Sequence, residues 1–473
     1  MPRRLALSLI FMASRLGTPP AEAATFDFYI GPSGSDSNDG LTTSTPWAIT
    51  AINTKAATYA GLRVGLLDGT YRITSGGDDS YLLGMPSTAS GTSGSHTVIQ
   101  AVNPRLAVIT TNDGAGNYPQ GSGGIGAIDT IRIDANYVDF VDLTMGPTGG
   151  HGFTLLDAHD VLFEGCWLKD MYAKRKTSVT DDNMGAIFFR TQGTPKSNVT
   201  VRNCLIEDIY SLSLVISMNN SNGVGDLFGV SGLLVENCTF KRMGVPMFYK
   251  GQNKNIVFRY NFIRECSGFT QAWSTMNTGN GPCTNEVYGN CARVNWGFGA
   301  NSSNTQGDAC TVANFYNNTV IMDEIEGGNA CDFGYMVMMG GATAQSLNFY
   351  NNAIFLNAGF GLGPGMIRFP TSTEALSTRI DIWNYNRYGG QFNIEDNVGS
   401  ASYNTLASWQ ATGRDTNSPA VGVLGLVNQA GTTPDDFRPD TGSALLSAGT
   451  VDGAGGAACD IGWTRYATVG HDW

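Results

Sequence analysis

The chain has 473 residues, 28 Lys and Arg against 40 Asp and Glu, and a formal net charge of −12. This charge leaves no basic surface to replace the counterions of nucleic acid, which excludes nucleic acid as a partner. Apolar residues at 42% supply a core, and no apolar run reaches the ~18 residues of a membrane span. With 61 glycines and only 14% charged residues, the composition is typical of a strand-rich protein.

The first 24 residues form a segment of their own. Two arginines precede an apolar stretch over residues 5–13, and residues 21–23 (Ala-Glu-Ala) have the small-x-small form of a signal-peptidase site. Residues 14–20 between them are long and polar for a cleavage region. A retained N-terminal anchor and a cleaved signal both stay open, and the anchor is preferred.

Residues 25–95 are predicted as an N-terminal capping segment. Within it, Asp36-Ser-Asn-Asp-Gly40 offers oxygen ligands for Ca²⁺, although a tight turn built on Asx side chains and glycine is preferred. The four histidines are scattered and none of the nine cysteines forms C-x-x-C, so no metal site is predicted and no cofactor is required.

An internal repeat occupies residues 96–395. Segments that alternate apolar and polar residues share one column, which holds Leu143, Cys166, Cys204, Cys238, Asn261, Cys291, Asn318, Asn352 and Asn386. The interval runs from 23 residues (Cys238 to Asn261) to 38 residues (Cys166 to Cys204). Alternation predicts strands, and a column that persists through successive segments predicts windings that stack on one another. Buried asparagines in such a column bond to backbone and to each other, while the cysteines pack as free thiols.

The predicted fold is therefore all-β, a right-handed parallel β-helix solenoid over residues 96–395 with a C-terminal capping segment over 396–473. Strands must keep their length to stay in register, so extra residues collect in the turns. We predict that the long inserts form the rim of one groove; they are residues 169–185, 219–231, 276–285, 299–311 and 322–334.

Both ends of the chain resemble a known superfamily. Residues 28–40 (Phe-Tyr-Ile-Gly-Pro-Ser-Gly-Ser-Asp-Ser-Asn-Asp-Gly), followed by Ser-Thr-Pro-Trp-Ala, resemble the opening segment of pectate-lyase-like right-handed β-helix proteins. Residues 436–449 and the Cys-Asp-Ile-Gly of 459–462 resemble their closing segment. The resemblance implies a carbohydrate-active protein, because the superfamily includes secreted polysaccharide lyases and hydrolases and phage tailspike-type proteins.

A short strand precedes each repeat segment and supplies the candidate binding residues. Aligned by the turns that follow, one column holds Asp157, Arg190, Ser217, Lys250 and Ser274, and the next holds Phe189, Ile216, Tyr249 and Trp273. Because side chains alternate along a strand, the polar column is assigned to solvent. The predicted substrate-binding residues are Asp157, Arg190, Tyr249, Trp273, Trp296 and Arg368, with the aromatic rings stacking on sugar faces.

Lys250 is the candidate base of a β-eliminating lyase. Its segment resembles the lysine-bearing winding of some alginate and chondroitin lyases, which have an arginine on the next winding. Here the aligned stretch is Gln-Ala-Trp-Ser-Thr (271–275), and the winding before the lysine lacks the acidic metal ligands. A surface lysine is therefore the preferred interpretation.

Asp181 and Asp182 are the candidate carboxylate pair of a glycoside hydrolase. They resemble the adjacent aspartates of polygalacturonase-like hydrolases, but Gly150-His151-Gly152 precedes the pair instead of following it. A solvated loop turn is preferred over a catalytic pair.

Two classes of function remain. The first is a virion- or surface-associated protein of the tailspike type, which binds cell-surface polysaccharide, docks through residues 1–24 and assembles as a homotrimer. The second is a secreted polysaccharide lyase or glycoside hydrolase. Both place the protein outside the cell or on a virion, and the first is preferred because no catalytic set is complete.

Overall fold

A computed structural model describes these parts of the chain: residues 25–75, 81–119, 129–171, 185–190, 196–209, 214–217, 230–250, 254–273, 283–302, 311–323, 337–341, 346–357, 367–369, 380–396, 401–450, 458–459 and 462. Asp181, Asp182 and the segment 1–24 lie outside these residues.

The N-terminal part begins with one strand and two short helices, β1 (Phe28–Ile30), α1 (Ala51–Thr54) and α2 (Ala56–Tyr59). Successive windings then follow: β2 (Arg63–Leu66), β3 (Gly69–Arg72), β4 (Tyr81–Met85); β5 (Thr97–Ala101), β6 (Ala107–Thr110), β7 (Asp129–Ile133); β8 (Val138–Val141), β9 (Thr144–Met145), β10 (Phe153–Leu155); β11 (Val161–Glu164), β12 (Trp167–Met171), β13 (Ile187–Arg190); β14 (Lys196–Arg202), β15 (Leu205–Ile209), β16 (Leu214–Ser217).

The second half continues in the same way, and in two windings one long strand replaces two shorter ones. Its strands are β17 (Val230–Glu236), β18 (Thr239–Met243), β19 (Met247–Lys250); β20 (Lys254–Arg259), β21 (Phe262–Trp273); β22 (Cys283–Tyr288), β23 (Cys291–Ser302); β24 (Thr311–Tyr316), β25 (Thr319–Met322), β26 (Val337–Gly341); β27 (Ser346–Tyr350), β28 (Ala353–Leu356), β29 (Ile367–Phe369); β30 (Ile380–Asn384), β31 (Arg387–Gly390), β32 (Ile394–Asp396). The chain ends with β33 (Ala401–Tyr403), α3 (Leu406–Gln410), β34 (Gly449–Thr450) and β35 (Ala458–Cys459). Short 3₁₀ turns cover Ser87–Ala89 and Pro434–Phe437.

The described strands form parallel sheets on three lateral faces. Sheet A is the 12-stranded sheet that collects the first strand of each winding, from β1 to β30. The 21-stranded sheet joins the other two faces, because β21 and β23 run through both. Sheet B contains the second strands and sheet C the third strands of the windings. Each strand pairs in parallel with its equivalent on the next winding, so the predicted parallel β-helix is confirmed.

The windings begin earlier than predicted. Strands β2, β3 and β4 already pair in parallel with β5, β6 and β7, so the helix starts at Arg63 and not at residue 96. The sequence did not reveal these first windings because the repeat was recognised by its Cys/Asn column. Strands β2 to β4 follow the same in-and-out alternation but have no Cys or Asn of that column. Among the described residues, no helix has the length and hydropathy to cross a bilayer.

The Cys/Asn column lies at the bend from sheet A to sheet B. The preceding residue repeatedly has a positive φ, as at Asn203 (55°), Asn317 (53°) and Asn351 (56°), and asparagine tolerates this conformation better than most residues. The column is fully buried from Cys166 to Asn386, and the three cysteines that begin it are free thiols, as predicted.

The asparagines of this column form a hydrogen-bonded stack. The Asn318 backbone N–H donates to Asn352 Oδ1 at 3.1 Å, and its Nδ2 donates to the Val287 carbonyl at 2.9 Å. Asn290, and not Cys291, continues this stack, because its backbone N–H donates to Asn318 Oδ1 at 3.1 Å. The sequence alignment was wrong by one residue here, and Cys291 instead pairs with Phe262 at the start of sheet B.

Asp415 closes the stack at its C-terminal end. Its Oδ1 accepts from Asn386 Nδ2 at 3.1 Å, and its Oδ2 accepts from the Tyr388 hydroxyl at 2.6 Å and from Trp409 Nε1 at 3.1 Å. Asp415 is fully buried, and this burial raises its pKa to about 6. A single carboxylate thus satisfies the donors that the last winding leaves unpaired.

The C-terminal segment, residues 420–450, folds back over the outer face of sheet B. Arg293 Nη1 donates to the Ala430 carbonyl at 3.3 Å, and Arg264 Nη1 donates to the Thr432 carbonyl at 3.2 Å. Phe437 is buried against Phe262 in a second apolar cluster that also holds Leu424 and Leu445. The strands of sheet B from β21 to β31 are therefore covered by the chain's own residues.

The outer edge of sheet A carries a row of side chains that satisfy one another. Glu164 pairs with Arg202 at 2.8 Å and Glu236 with Arg259 at 2.6 Å. Arg259 Nη1 donates to the Tyr288 hydroxyl at 2.8 Å, and the rings of Tyr288 and Tyr316 stack at 4.8 Å. Tyr288 and Tyr316 are partly buried in this row.

Candidate functional site

The long connections of the chain flank sheet C. Each of the five predicted inserts runs to or from a sheet C strand: 169–185 precedes β13 and 322–334 precedes β26, while 219–231, 276–285 and 299–311 follow β16, β21 and β23. Most of each insert lies outside the described residues, so the groove that they were expected to border stays a prediction.

The outward face of sheet C is fixed by the alternation of its strands. In β13, Ile187 and Phe189 belong to the buried core, while Phe188 and Arg190 are partly exposed. The polar column of Arg190 therefore faces outward, as assigned from the sequence. Arg132, Thr154 and Phe188 occupy one outward position on three adjacent strands.

Asp129, His151 and Arg190 converge on this outward face. Asp129 begins β7, His151 lies just before β10, and Arg190 ends β13. Asp129 Oδ1 is 4.0 Å from His151 Nε2, and Asp129 Oδ2 is 3.8 Å from Arg190 Nη2. The side chains of Asp129 and His151 are 4% and 7% exposed, whereas that of Arg190 is 35% exposed. Arg190 thus lies at the opening and the other two lie deeper.

The ring of His151 contacts the backbone of Gly185. His151 Nδ1 lies 3.0 Å from the Gly185 backbone nitrogen and 3.3 Å from the Gly185 carbonyl oxygen, so it accepts from the N–H in one tautomer and donates to the carbonyl in the other. Burial lowers the pKa of His151 and thereby favours the neutral ring at neutral pH, although the nearby Asp129 charge acts in the opposite direction. The Phe188 ring stacks on the imidazole at a centroid distance of 4.2 Å and holds its plane.

Two buried hydroxyls lie near these residues. Thr154 has an outward position on β10 beside Arg132 and is 1% exposed, and Thr130, which follows Asp129 on β7, is 0% exposed. In the part of the chain that the structure describes, neither Oγ1 has a hydrogen-bond partner. A buried hydroxyl without a partner costs roughly 1–3 kcal/mol.

A second charged group lies at the end of these strands. Lys196 is fully buried at the start of β14, and burial lowers its pKa to about 8 against the opposing effect of the Asp157 and Asp134 carboxylates. Asp134 also pairs with Arg132 at 3.0 Å. The predicted binding residue Asp157 therefore interacts electrostatically with a buried lysine, and Arg190 forms an ion pair with Asp129.

The predicted residues of the later windings lie on sheet C at corrected register positions. Trp273 pairs with Lys250, and Tyr249 pairs with Ala272, so the column that joined Tyr249 to Trp273 was wrong by one residue. Strand β21 pairs with β19 from Thr270 onward, and this pairing defines which residues face each other. The sequence alignment instead matched the turns that follow each strand. Tyr249 has the register position of buried Phe189.

Arg368 and Trp296 lie far from Arg190. Arg368 pairs with Met338, in the column of Phe188, and its strand β29 is six pairings from β13, roughly 30 Å along the axis at ~4.8 Å each. Trp296 pairs with Gly268 within β23. The predicted residues are therefore spread over several windings and do not form a single cluster.

The N-terminal Asx segment forms a tight turn. Asp36 Oδ2 accepts from Thr50 and Thr54 Oγ1 at 2.8 Å each, Asp39 Oδ1 accepts from Thr45 Oγ1 at 2.6 Å, and Gly40 has φ +71°. These bonds are the turn preferred from the sequence, and a Ca²⁺ role stays a prediction. Within the described ranges, no group of three or more His, Cys, Asp or Glu side chains is arranged to hold a metal ion.

Sequence reasoning missed Asp129, Thr130, Thr154 and Lys196 as members of this face, and His151 entered it only as part of a misplaced motif. These residues are separated by long connections and share no spacing. Asp129 starts β7, whereas His151 and Gly185 each lie two residues before a strand, β10 and β13.

Comparison with known proteins agrees with the fold. A family model described as a right handed beta helix region matches residues 126–320. The chain is a right-handed parallel β-helix. No curated protein matches the sequence of this β-helix.

Among solved structures, the β-helix is similar to a rhamnogalacturonan lyase, with 16% identity, a TM-score of 0.47, and coverage of 89% of this chain and 96% of the other. It is also similar to the pectate lyase Pel9A, with 16% identity, a TM-score of 0.41, and coverage of 92% and 95%. A surface adhesin of Streptococcus pneumoniae matches with 11% identity, a TM-score of 0.42, and coverage of 75% and 89%. At these identities the similarity concerns the fold alone.

Proposed function

We propose that this β-helix binds a polysaccharide along the outward face of sheet C. The observation that carries the proposal is the set of polar groups on that face: the guanidinium of Arg190, which is 35% exposed, the buried Thr154 hydroxyl, which has no partner among the described residues, and the Phe188 ring. By contrast, the strands of sheet B from β21 to β31 are covered by residues 420–450. A polymer with many hydroxyls matches a long face of this kind.

The preferred setting is a virion- or surface-associated protein of the tailspike type, outside the cell. Docking through residues 1–24 and assembly as a homotrimer belong to this proposal. Support for binding without cleavage comes from the register, since the residue that pairs with Lys250 on the next winding is Trp273 and not the arginine of the lyase pattern. Sedimentation mass measures the trimer, and intact mass measures whether residues 1–23 are retained.

Substitution of Arg190 tests the binding face. We expect Arg190→Ala to weaken polysaccharide binding by about tenfold or more, because a hydrogen bond to a charged group is worth roughly 1.5–3 kcal/mol. The measurement is binding of the full chain to immobilised neutral and acidic polysaccharides. Arg438→Ala, on the exposed side of the C-terminal segment, is the matched control and should bind like the unchanged protein. If no polysaccharide binds, or both variants bind equally well, the proposed function is wrong.

The alternative function is a secreted polysaccharide lyase or hydrolase. On polymers that bind, a lyase releases 4,5-unsaturated uronates and a hydrolase releases new reducing ends. If either product appears, we expect Lys250→Ala to abolish lyase activity, or Asp181→Asn and Asp182→Asn to abolish hydrolase activity, each by at least a hundredfold. Turnover that survives all three substitutions would show that those catalytic candidates are wrong.

A further inference from the structure

A lysine is buried in the bend that leads from sheet C to sheet A. Lys196 has no exposed surface and is among the largest fully buried side chains of the protein. It pairs with Val230 on the next winding, and Val230 belongs to the apolar core. An aliphatic side chain therefore fits this column, so packing alone does not require a charged residue at Lys196. A buried charge is costly unless it serves nearby groups of opposite sign.

Small residues precede Lys196 in its column. The bend has a residue with a positive φ on each of three successive windings, namely Tyr137, Asp160 and Asn198. Lys196 lies two residues before the last of these, and the equivalent positions on the two earlier windings are Ala135 and Ala158, both fully buried. The long lysine side chain therefore has no large neighbour on that side of the column.

Two carboxylates lie next to these alanines. Asp134 and Asp157 directly precede Ala135 and Ala158. The Asp134 side chain is 23% exposed and Asp157 is also partly exposed, so both are nearer to solvent than the lysine. Both carboxylates attract the ammonium group, and this attraction opposes the burial that lowers the pKa of Lys196 to about 8. The bend thus holds a buried cation beneath two carboxylates at the surface.

The other charged groups near this bend have partners. Arg132 Nε pairs with Asp134 Oδ2 at 3.0 Å, His159 Nδ1 with Asp160 Oδ2 at 2.6 Å, and Arg190 Nη2 with Asp129 Oδ2 at 3.8 Å. Within the bend, Lys196 and Arg132 therefore balance the two carboxylates of Asp134 and Asp157. Loss of the lysine proton leaves one of these carboxylates without a compensating charge.

We propose that Lys196 is a positioning residue for Asp157 in polysaccharide binding. Strands β7, β10 and β13 are neighbours in sheet C, and Asp134, Asp157 and Arg190 lie at or just after their ends. Asp157 therefore lies at one edge of the proposed binding face, whereas Lys196 is buried and acts through the charge of this carboxylate. The inference rests on the proposed function and adds its regulation, because the edge of the face is complete only while the lysine keeps its proton.

The arrangement predicts opposite effects of pH on binding and on stability. Between about pH 8 and the ordinary lysine value of 10.5, the folded protein has released a proton that the unfolded chain still holds. This difference makes the fold more stable as the pH rises through that interval. Binding weakens over the same interval because Lys196 no longer compensates Asp157. Unfolding would instead lower binding and stability together.

The experiment measures binding of the full chain to immobilised polygalacturonate, alginate, dextran and galactomannan at pH 7.0 and pH 9.5, both above the ordinary pKa of histidine. For each polymer that binds, we expect a loss of roughly fivefold at pH 9.5, the effect of one charged group near the surface. Lys196→Met should bind at pH 7.0 as weakly as the unchanged protein does at pH 9.5, with no further loss. Lys241→Met, a partly exposed lysine on sheet B, is the matched control and should keep the pH dependence.

Two further measurements separate positioning from folding. Asp157→Asn should lose about as much binding as Lys196→Met, and the double variant should lose no more than either, because the lysine acts through that carboxylate. In urea unfolding without polymer, Lys196→Met should abolish the gain in stability that the lysine gives between pH 7.0 and 9.5.

The outcomes distinguish the positioning role from the binding function. Full binding by Lys196→Met with an unchanged pH dependence, or additive losses in the double variant, would overturn the positioning role while the proposed function stands. Absence of binding to every polymer at both pH values would overturn both.

Discussion

Replacing Asn318 with alanine should lower the free energy of unfolding by about 4 kcal/mol. Asn318 Oδ1 accepts from the Asn290 backbone N–H at 3.1 Å and from Asn290 Nδ2 at 2.9 Å, and its own Nδ2 donates to the Val287 carbonyl. Alanine leaves these buried groups without partners, and each costs roughly 1–3 kcal/mol. The measurement is the urea midpoint followed by circular dichroism.

A cysteine from the same column provides the comparison for this result. Cys204 has an equivalent position, and its Sγ is a weak donor that lies 3.6 Å from the Phe163 carbonyl oxygen and 3.2 Å from that of Arg202. We expect Cys204→Ala to cost about 1 kcal/mol, because it removes one buried polarisable atom and few hydrogen bonds. Equal losses for the two variants would show that the asparagine stack stabilises the fold no more than ordinary packing does.

The second large effect is a dependence of stability on pH that originates at Asp415. Burial raises its pKa to about 6, above the ordinary value of 3.8. Between these values the folded protein retains a proton that the unfolded chain has released, so the stabilisation is complete below about pH 4 and is lost as the pH rises through 6. Between pH 4.5 and 7.5 this amounts to about 2 kcal/mol.

Asp415→Asn isolates this contribution, because an amide does not titrate. The variant loses an acceptor for Trp409 Nε1 or Tyr388 and should be less stable than the unchanged protein at pH 4.5. The deficit should shrink by about 2 kcal/mol at pH 7.5, as measured by urea unfolding at both values. Asp435→Asn should show no comparable change. A deficit that is constant with pH would contradict the assignment of the effect to Asp415.

The fold was predictable because the residues that build it recur at one column. Alternation and the Cys/Asn series together required stacked parallel windings. The error at Cys291 shows the limit of the method, since Gly289-Asn290-Cys291 offers both residue types of the column side by side. Only the chain of bonds from Asn261 through Asn290 to Asn318 identifies which one belongs to it.

The candidate site was predictable in part. Arg190 and its outward orientation follow from alternation within one strand, which is local information. Asp129 and His151 do not, because Asp129 starts a strand and His151 lies in a turn, and their approach depends on how neighbouring windings pair. The alignment of Trp273 with Tyr249 was wrong by one residue for the same reason. Its partner depends on how neighbouring windings pair, whereas the alignment was based on the turns after each strand.

The segment that covers sheet B also has a consequence for biosynthesis. Arg264 and Arg293 are made well before the carbonyls of Thr432 and Ala430 to which they donate, and Phe262 precedes its neighbour Phe437 by more than a hundred residues. While the chain is still on the ribosome, this flank of the spiral exposes an apolar strip that only the later residues conceal. A nascent chain arrested before residue 420 is therefore the form most prone to associate with other chains.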